Sequence, residues 1–265
     1  MLLNWIAIIS LVSSMLGYFL SLYKLIFIPV AFLAVYLSLV LLWFLVAFIV
    51  TRPVDLTKEY EKRSGLYRWF VNCIVETMRQ VCRVDLKVSG REKLPKEKFL
   101  LVCNHRGILD PLLTMDVLRK WDMGFVAKAV IYKIPIICRL MHRSYCLCLN
   151  RDDMRSSAKT IARAAYFIKN DFASMGIYPE GIRSQEDEML PFMHGAFKIA
   201  KMAACPIVVT TITDTEKATR YFWKKTVVHL DFIDIIEKDV VAENTTVNLS
   251  NMAREKMEKN LAQYK

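Results

Sequence analysis

The sequence predicts an α/β fold: a mixed, largely parallel sheet flanked by helices and preceded by an N-terminal hydrophobic helical hairpin. Three observations lead there. Residues 1–50 carry one basic residue, Lys24, and no acidic one, so they read as apolar helix. Residues 51–265 alternate amphipathic stretches with short continuous apolar runs, the pattern of helices around buried strands. Two of those runs end directly in polar motifs, as strands do at the ligand-binding edge of an open sheet.

Composition narrows the class. The 265 residues are 54% hydrophobic and 24% charged, with a formal net charge of +11, and the mean hydropathy is +0.27. These values exclude disorder, collagen and coiled coil. A polytopic transporter is excluded because the apolar excess sits at one end. Nearly all the net positive charge falls on residues 51–265, a length that can bury a full core. The seven cysteines are odd in number and form no Cys-x-x-Cys pair, so reduced thiols in a cytosolic compartment are expected, with no disulfide frame and no metal site.

A bilayer core takes ~20 apolar residues in a helix. Residues 2–23 meet that length, diluted by Asn4, Ser10, Ser13, Ser14 and Gly17, and residues 25–50 meet it with Pro29 as the one breaker. Lys24 either marks a hairpin turn or snorkels from a dipping first segment; two helices are expected. A cleaved signal peptide fits poorly, because no basic region precedes the apolar run. A buried soluble hairpin is the competing reading. Arg52, Lys58, Lys62, Arg63 and Arg68 follow the second segment, which puts residues 51–265 on the cytoplasmic side. Anionic lipid then accounts for the basic charge, and no nucleic-acid partner is expected, since no such motif appears.

Along the domain, residues 55–82 read as an amphipathic helix with Leu66, Trp69, Phe70, Cys73, Ile74 and Met78 on one face. Strands are expected at 84–88 and 99–103. Residues 111–121 read as a helix with Asp110 as N-cap and Pro111 in its first turn. A strand at 124–127 follows, then a broken helix or membrane-facing loop over 131–141, where Pro135 interrupts an apolar run. Strands at 145–149, 173–178, 207–212 and 226–232 alternate with helices at 156–170, 194–203 and 247–262.

The chemistry concentrates at two strand ends. In Asn104-His105-Arg106-Gly107-Ile108-Leu109-Asp110, an imidazole follows a buried strand and a carboxylate follows five residues later. Such a pair fixes the tautomer and stabilises the imidazolium; the plainer reading is a turn-capping His and a helix-capping Asp. In Tyr178-Pro179-Glu180-Gly181-Ile182-Arg183-Ser184, a turn presents a guanidinium that forks onto phosphate; the plainer reading is a turn with a surface Arg. Cys103 beside His105 invites a nucleophile reading, but its apolar neighbours make it a buried strand residue. His142, His194 and His229 lack a carboxylate at this spacing and are expected to be structural or exposed. The basic helix carrying Arg155, Lys159, Arg163 and Lys169 either meets headgroups and donor phosphates or is a solvated face.

Together, the His-x4-Asp and Pro-Glu-Gly-x-Arg motifs resemble those of the glycerolipid acyltransferases, over roughly residues 85–215. The resemblance implies transfer of an acyl group from acyl-CoA or acyl carrier protein to the sn-2 hydroxyl of 1-acylglycerol-3-phosphate (lysophosphatidic acid), giving phosphatidic acid in the membrane. It implies His105 as general base with Asp110 as its partner. It implies acceptor binding by Lys128, Arg151, Glu180, Gly181 and Arg183, and pocket shaping by Pro206. No cofactor is called for. Arg106-Gly107 stands where the family often has Gln-Ser, Tyr178 and Ile182 where Phe and Thr are common, Val209 where a second Pro is frequent, and the lead-in Cys146-Leu147-Cys148-Leu149 is less bulky than usual. Backbone N–H groups near Gly107 or Gly181 are the expected oxyanion donors. An enzyme of the same family with another lysophospholipid or an amino-acid-derived acceptor, and a non-catalytic lipid-binding protein, are the alternatives.

Overall fold

The computed structural model describes residues 2–20, 22–62, 64–128, 134–150, 153–184 and 188–264. Two apolar helices open the chain, α1 (Leu2–Phe19) and α2 (Ile28–Thr51), joined by a turn that includes Lys24 and a short 3-10 segment (Leu25–Phe27). Both are long and apolar enough to cross a membrane. The residues that dilute the first segment have a structural use. Ser10, Ser14 and Gly17 lie with Ile6 on the buried face of α1, and at Gly17 a Cβ would come within 2.7 Å of the Tyr23 ring, which packs there from the connecting turn. The two serine hydroxyls are satisfied by carbonyls one turn back, at Ile6 and Ser10.

Helix α3 (Gly65–Val81) starts about ten residues later than the sequence pattern predicts. Asp55 accepts from the N–H and hydroxyl of Thr57 (2.9 and 2.7 Å), and this local turn competes with a first helical turn. Phe70 of α3 packs with Ala47 of α2 and Leu140 of α5 (Pro135–His142), so the end of α2 is fastened into the rest of the chain. The expected break near Pro135 is the start of α5; residues 129–133 lie outside the described set.

Seven strands form one sheet: β1 (Val84–Ser89), β2 (Leu100–Cys103), β3 (Gly124–Lys128), β4 (Leu147–Leu149), β5 (Met175–Ile177), β6 (Ile207–Ile212) and β7 (Thr226–Ile236), in the order β1-β7-β6-β2-β5-β3-β4. All pairings are parallel except β6 with β7, so the sheet is mixed and largely parallel, as the sequence predicts. The helices α4 (Asp110–Val117), α6 (Met154–Lys169), α7 (Lys198–Ala203), α8 (Thr215–Arg220), α9 (Lys238–Glu243) and α10 (Thr246–Leu261) complete the fold. The sequence pattern misses α8 and α9, each six residues long and too short to show a helical period. It also misses that β7 runs on to Ile236, past the bulge at Val209/Thr210 of its partner.

β2 is buried throughout, and its alternation assigns the two core layers. Leu100 and Val102 pack on one face with Phe167, Ile168 and Met257. Leu101 and Cys103 pack on the other with Leu113, Val117 and Val208. Truncating such a fully buried leucine costs about 2–5 kcal/mol.

Candidate active site

β2 and β5 are adjacent and parallel, with Val102 opposite Ile177. His105 and Glu180 each lie three residues past that pair, so the two motifs meet at the carboxyl edge of the sheet. The His105 N–H donates to Oε1 of Glu180 (2.7 Å), and the Ser184 N–H donates to the His105 carbonyl (2.9 Å). The other oxygen of Glu180 accepts from the Leu190 N–H (2.8 Å). Glu180 is buried, with both oxygens taken by backbone donors. It ties the two motif loops together through these two backbone bonds. Burial pushes this carboxyl up, and the two backbone N–H groups offset part of that rise.

Nδ1 of His105 lies 2.7 Å from Oδ2 of Asp110. The same oxygen accepts from the Arg106 N–H (2.7 Å) and the Gly107 N–H (2.9 Å), and Oδ1 accepts from the Thr215 hydroxyl. Asp110 is fully buried. Here the structure corrects the N-cap reading: the position before α4 is Leu109, and the Asp110 carboxylate turns back onto the 105–107 loop instead of capping its own helix. The expected Pro111 does sit in the first turn. The imidazole stacks on Tyr178 (centroids 4.3 Å, 20° between planes), and Tyr178 stacks on Phe125 (5.6 Å, 12°). The ring is thus fixed by a carboxylate on one edge and an aromatic face below. Among the described residues Nε2 has no hydrogen-bond partner, and the side chain is 17% exposed, so Nε2 is the atom left for a reacting proton.

Two further groups shape this loop, Asn104 at the start of the motif and Thr215 outside it. Asn104 bridges the end of β6, donating to the Ile212 carbonyl (2.9 Å) and accepting from the Ile212 N–H (2.8 Å). Thr215 opens α8 against Gly107, where a Cβ would come within 2.7 Å of the Thr215 Oγ1. Only glycine permits that approach. Arg106 forks onto Glu216, with N–O distances of 3.3 and 2.9 Å.

The remaining predicted residues divide. Gly181 holds φ +76°, a left-handed conformation suited to glycine, and its N–H closes the turn onto the Tyr178 carbonyl (3.0 Å). The Gly107 N–H is likewise taken by Asp110. The two expected oxyanion donors are therefore engaged within their own loops. Arg183 is exposed, without an ion pair among the described residues. Lys128 ends β3 opposite Leu149, so its backbone lies at the same sheet edge. Arg151 lies outside the described residues. Pro206 leads into β6, and its carbonyl accepts from the Leu100 N–H (3.0 Å). Cys103 is fully buried, and burial raises its thiol well above the usual range. His142 contacts the Lys58 carbonyl through Nε2 (2.9 Å), and His229 packs on Tyr264 (4.6 Å). Arg163 of the basic helix pairs with Glu59 (2.9 Å). Among the described residues no cluster of three or more His, Cys, Asp or Glu groups could hold a metal ion.

Two cavities flank the His105 loop. One, of ≈ 550 Å³, is mainly apolar; Val126, Leu149, Ile161, Met202, Tyr178 and Pro179 line it, so it reaches the residue on which His105 stacks. The other, of ≈ 300 Å³, is lined by Asn104, Arg106, Glu180, Thr213, Lys217 and Tyr264, among others. An apolar groove and a polar one at the same base suit an amphipathic substrate.

The profile of the family described as Acyltransferase matches residues 85–213, which contain both motifs. A 1-acyl-sn-glycerol-3-phosphate acyltransferase of Saccharomyces cerevisiae is 28% identical over 58% of this chain and 51% of its own length. A putative enzyme of the same description from Caenorhabditis elegans is 28% identical over 69% of this chain and 65% of its own. A chloroplastic one from Brassica napus is 30% identical over 64% and 49%. The chain thus spans about half to two thirds of the length of these relatives. The crystal structure of a 1-acyl-sn-glycerophosphate acyltransferase from Thermotoga maritima shares the fold, with a TM-score of 0.62 at 20% identity over 75% of this chain and 80% of that one. The paired motifs at one sheet edge, the profile match across them and the run of similar relatives together make residues 85–213 similar to the acyltransferase family.

Proposed function

We propose that the protein transfers an acyl group from acyl-CoA or acyl carrier protein to the sn-2 hydroxyl of 1-acylglycerol-3-phosphate, giving phosphatidic acid. The observation that carries this reading is the buried Asp110 carboxylate at Nδ1 of His105, with Nε2 open. The relatives named for this reaction support the choice of acceptor.

The acceptor hydroxyl is a weak acid and needs a base at the moment of attack. Neutral His105 takes its proton at Nε2 while the oxygen attacks the thioester carbonyl. Asp110 stabilises the imidazolium formed. The tetrahedral intermediate collapses, the thiol leaves, and the proton passes from Nε2 to the departing sulfur. A thioester is already activated, so no acyl-enzyme is required, and no metal or redox cofactor takes part. Glu180 and Gly181 position the loops, and Arg183, with Lys128 and Arg151, binds the acceptor phosphate. The ≈ 550 Å³ apolar groove takes an acyl chain. Helices α1 and α2 lie in the bilayer, with residues 51–265 facing the cytoplasm, in keeping with the basic residues after Thr51.

The test uses the full chain in mixed micelles. Each donor is offered with lysophosphatidic acid, neutral and zwitterionic lysolipids, and a single-chain amino-acid lipid. Phosphatidic acid as the main product is expected. Transfer confined to another lysolipid would overturn the acceptor, and no transfer from either donor would overturn the reaction.

A further inference from the structure

Residues 220–225, Arg-Tyr-Phe-Trp-Lys-Lys, are six consecutive exposed positions running from the last residue of α8 to the start of β7. Tyr221, Phe222 and Trp223 are 38%, 51% and 54% exposed, and they pack on one another instead of into either core layer: Phe222–Trp223 centroids lie 5.2 Å apart and Tyr221–Trp223 5.8 Å. The Arg220 guanidinium and the Lys224 ammonium lie 5.4 and 5.8 Å from the Tyr221 ring. Neither cation has a carboxylate partner among the described residues. Three contiguous exposed aromatics are an unusual surface for a soluble face. Aromatics interleaved with basic residues are the composition of a membrane–water interface.

Position agrees with composition. The Trp223 carbonyl accepts from the Arg83 guanidinium (3.0 Å), and the Thr226 N–H donates to the Arg83 carbonyl (3.2 Å). Arg83 lies two residues past the end of α3. Near that end of α3, Thr77 and Met78 line an apolar cleft of ≈ 240 Å³ together with Leu2 and Ile6 of α1 and Val40 of α2. Val81, the last residue of α3, is 47% exposed. The aromatic loop is therefore tied to the same end of α3 that meets the hairpin.

The geometry points to Tyr221, Phe222 and Trp223 as a second bilayer contact, an interfacial wedge whose Arg220 and Lys224 meet anionic headgroups. This rests on the reading that α1 and α2 lie in a bilayer. α8 separates Thr215, which holds Asp110, from the wedge by about 8 Å along its axis. Docking the wedge sets the His105 edge at headgroup depth, where an acceptor presents its hydroxyl without leaving the membrane.

The test places a benzophenone amino acid at Phe222 or, separately, at Leu37 on the exposed face of α2, in the full chain reconstituted into phosphatidylcholine vesicles with and without phosphatidylglycerol. Lipid adducts at both positions are expected, with the yield at 222 raised by phosphatidylglycerol and lowered by salt. Adducts at 37 alone overturn the wedge and leave the hairpin reading intact. Adducts at neither overturn both, and cross-links from 222 to a second protein chain replace lipid with a protein partner. A yield at 222 that ignores phosphatidylglycerol overturns the role of Arg220 and Lys224.

Discussion

Thr215 donates its hydroxyl to Oδ1 of Asp110 across 105 residues of chain, while His105 engages the other oxygen of the same carboxylate. The carboxylate is thus held by four donors from two segments, and its geometry depends on α8 as much as on the loop that carries it. Thr215→Val is expected to lower kcat by about 10- to 150-fold, the scale of one lost hydrogen bond to a charged group, with KM little changed. Thr215→Ser restores most of it. Steady-state kinetics on both variants check this, and an equal loss in the two would argue for packing alone.

Asp110→Asn removes the charge and turns an amide toward groups that donate. Activity is expected to fall by roughly 10³-fold or more. Circular dichroism and a melting curve beside the assay separate this from unfolding.

Gly107→Ala puts a methyl within 2.7 Å of the Thr215 Oγ1 and 3.0 Å of its carbonyl carbon. α8 must shift away from Asp110, at a cost of about 1–3 kcal/mol. Both Tm and kcat should fall, and a crystal structure should show the Thr215–Asp110 bond lost. Unchanged kcat would mean that α8 does not position the carboxylate.

Glu180→Gln keeps the shape of the side chain but faces one of two backbone N–H groups with another donor. A loss of about 1–3 kcal/mol in stability is expected, with reduced kcat. Hydrogen exchange at the His105 and Leu190 amides reads the clasp directly.

Cys103 is raised by burial, so at pH 8 it holds less thiolate than a free cysteine, and its rate of alkylation should be correspondingly low. Iodoacetamide on the native protein should label the half-buried Cys73 and Cys148 first. Cys103→Ala should keep activity within about threefold, since a cavity costs stability more than chemistry.

The sequence exposes the fold where physical signals are local and strong. The strands at 84–88, 99–103 and 207–212 are apolar runs with turn signals at their ends, and they form as β1, β2 and β6. His105 and Asp110 were legible as a pair from spacing, and their contact follows from the loop they share. Thr215 was not legible, because its role comes from β6 lying beside β2, a long-range pairing that no local pattern encodes. The internal use of Glu180 was likewise hidden: one short motif supplies a buried clasp and an exposed guanidinium, and only burial tells them apart. Asp110 shows the reverse error. Its sequence position suits a helix cap, yet the 105–107 loop offers closer donors.

The most direct test of the account is acyl transfer to lysophosphatidic acid by membranes carrying the wild type beside His105→Ala, with equal protein confirmed by blot. The account predicts phosphatidic acid from the wild type and a loss of about 10²- to 10⁴-fold in the variant, the range of a general base. Undiminished product from His105→Ala would contradict it.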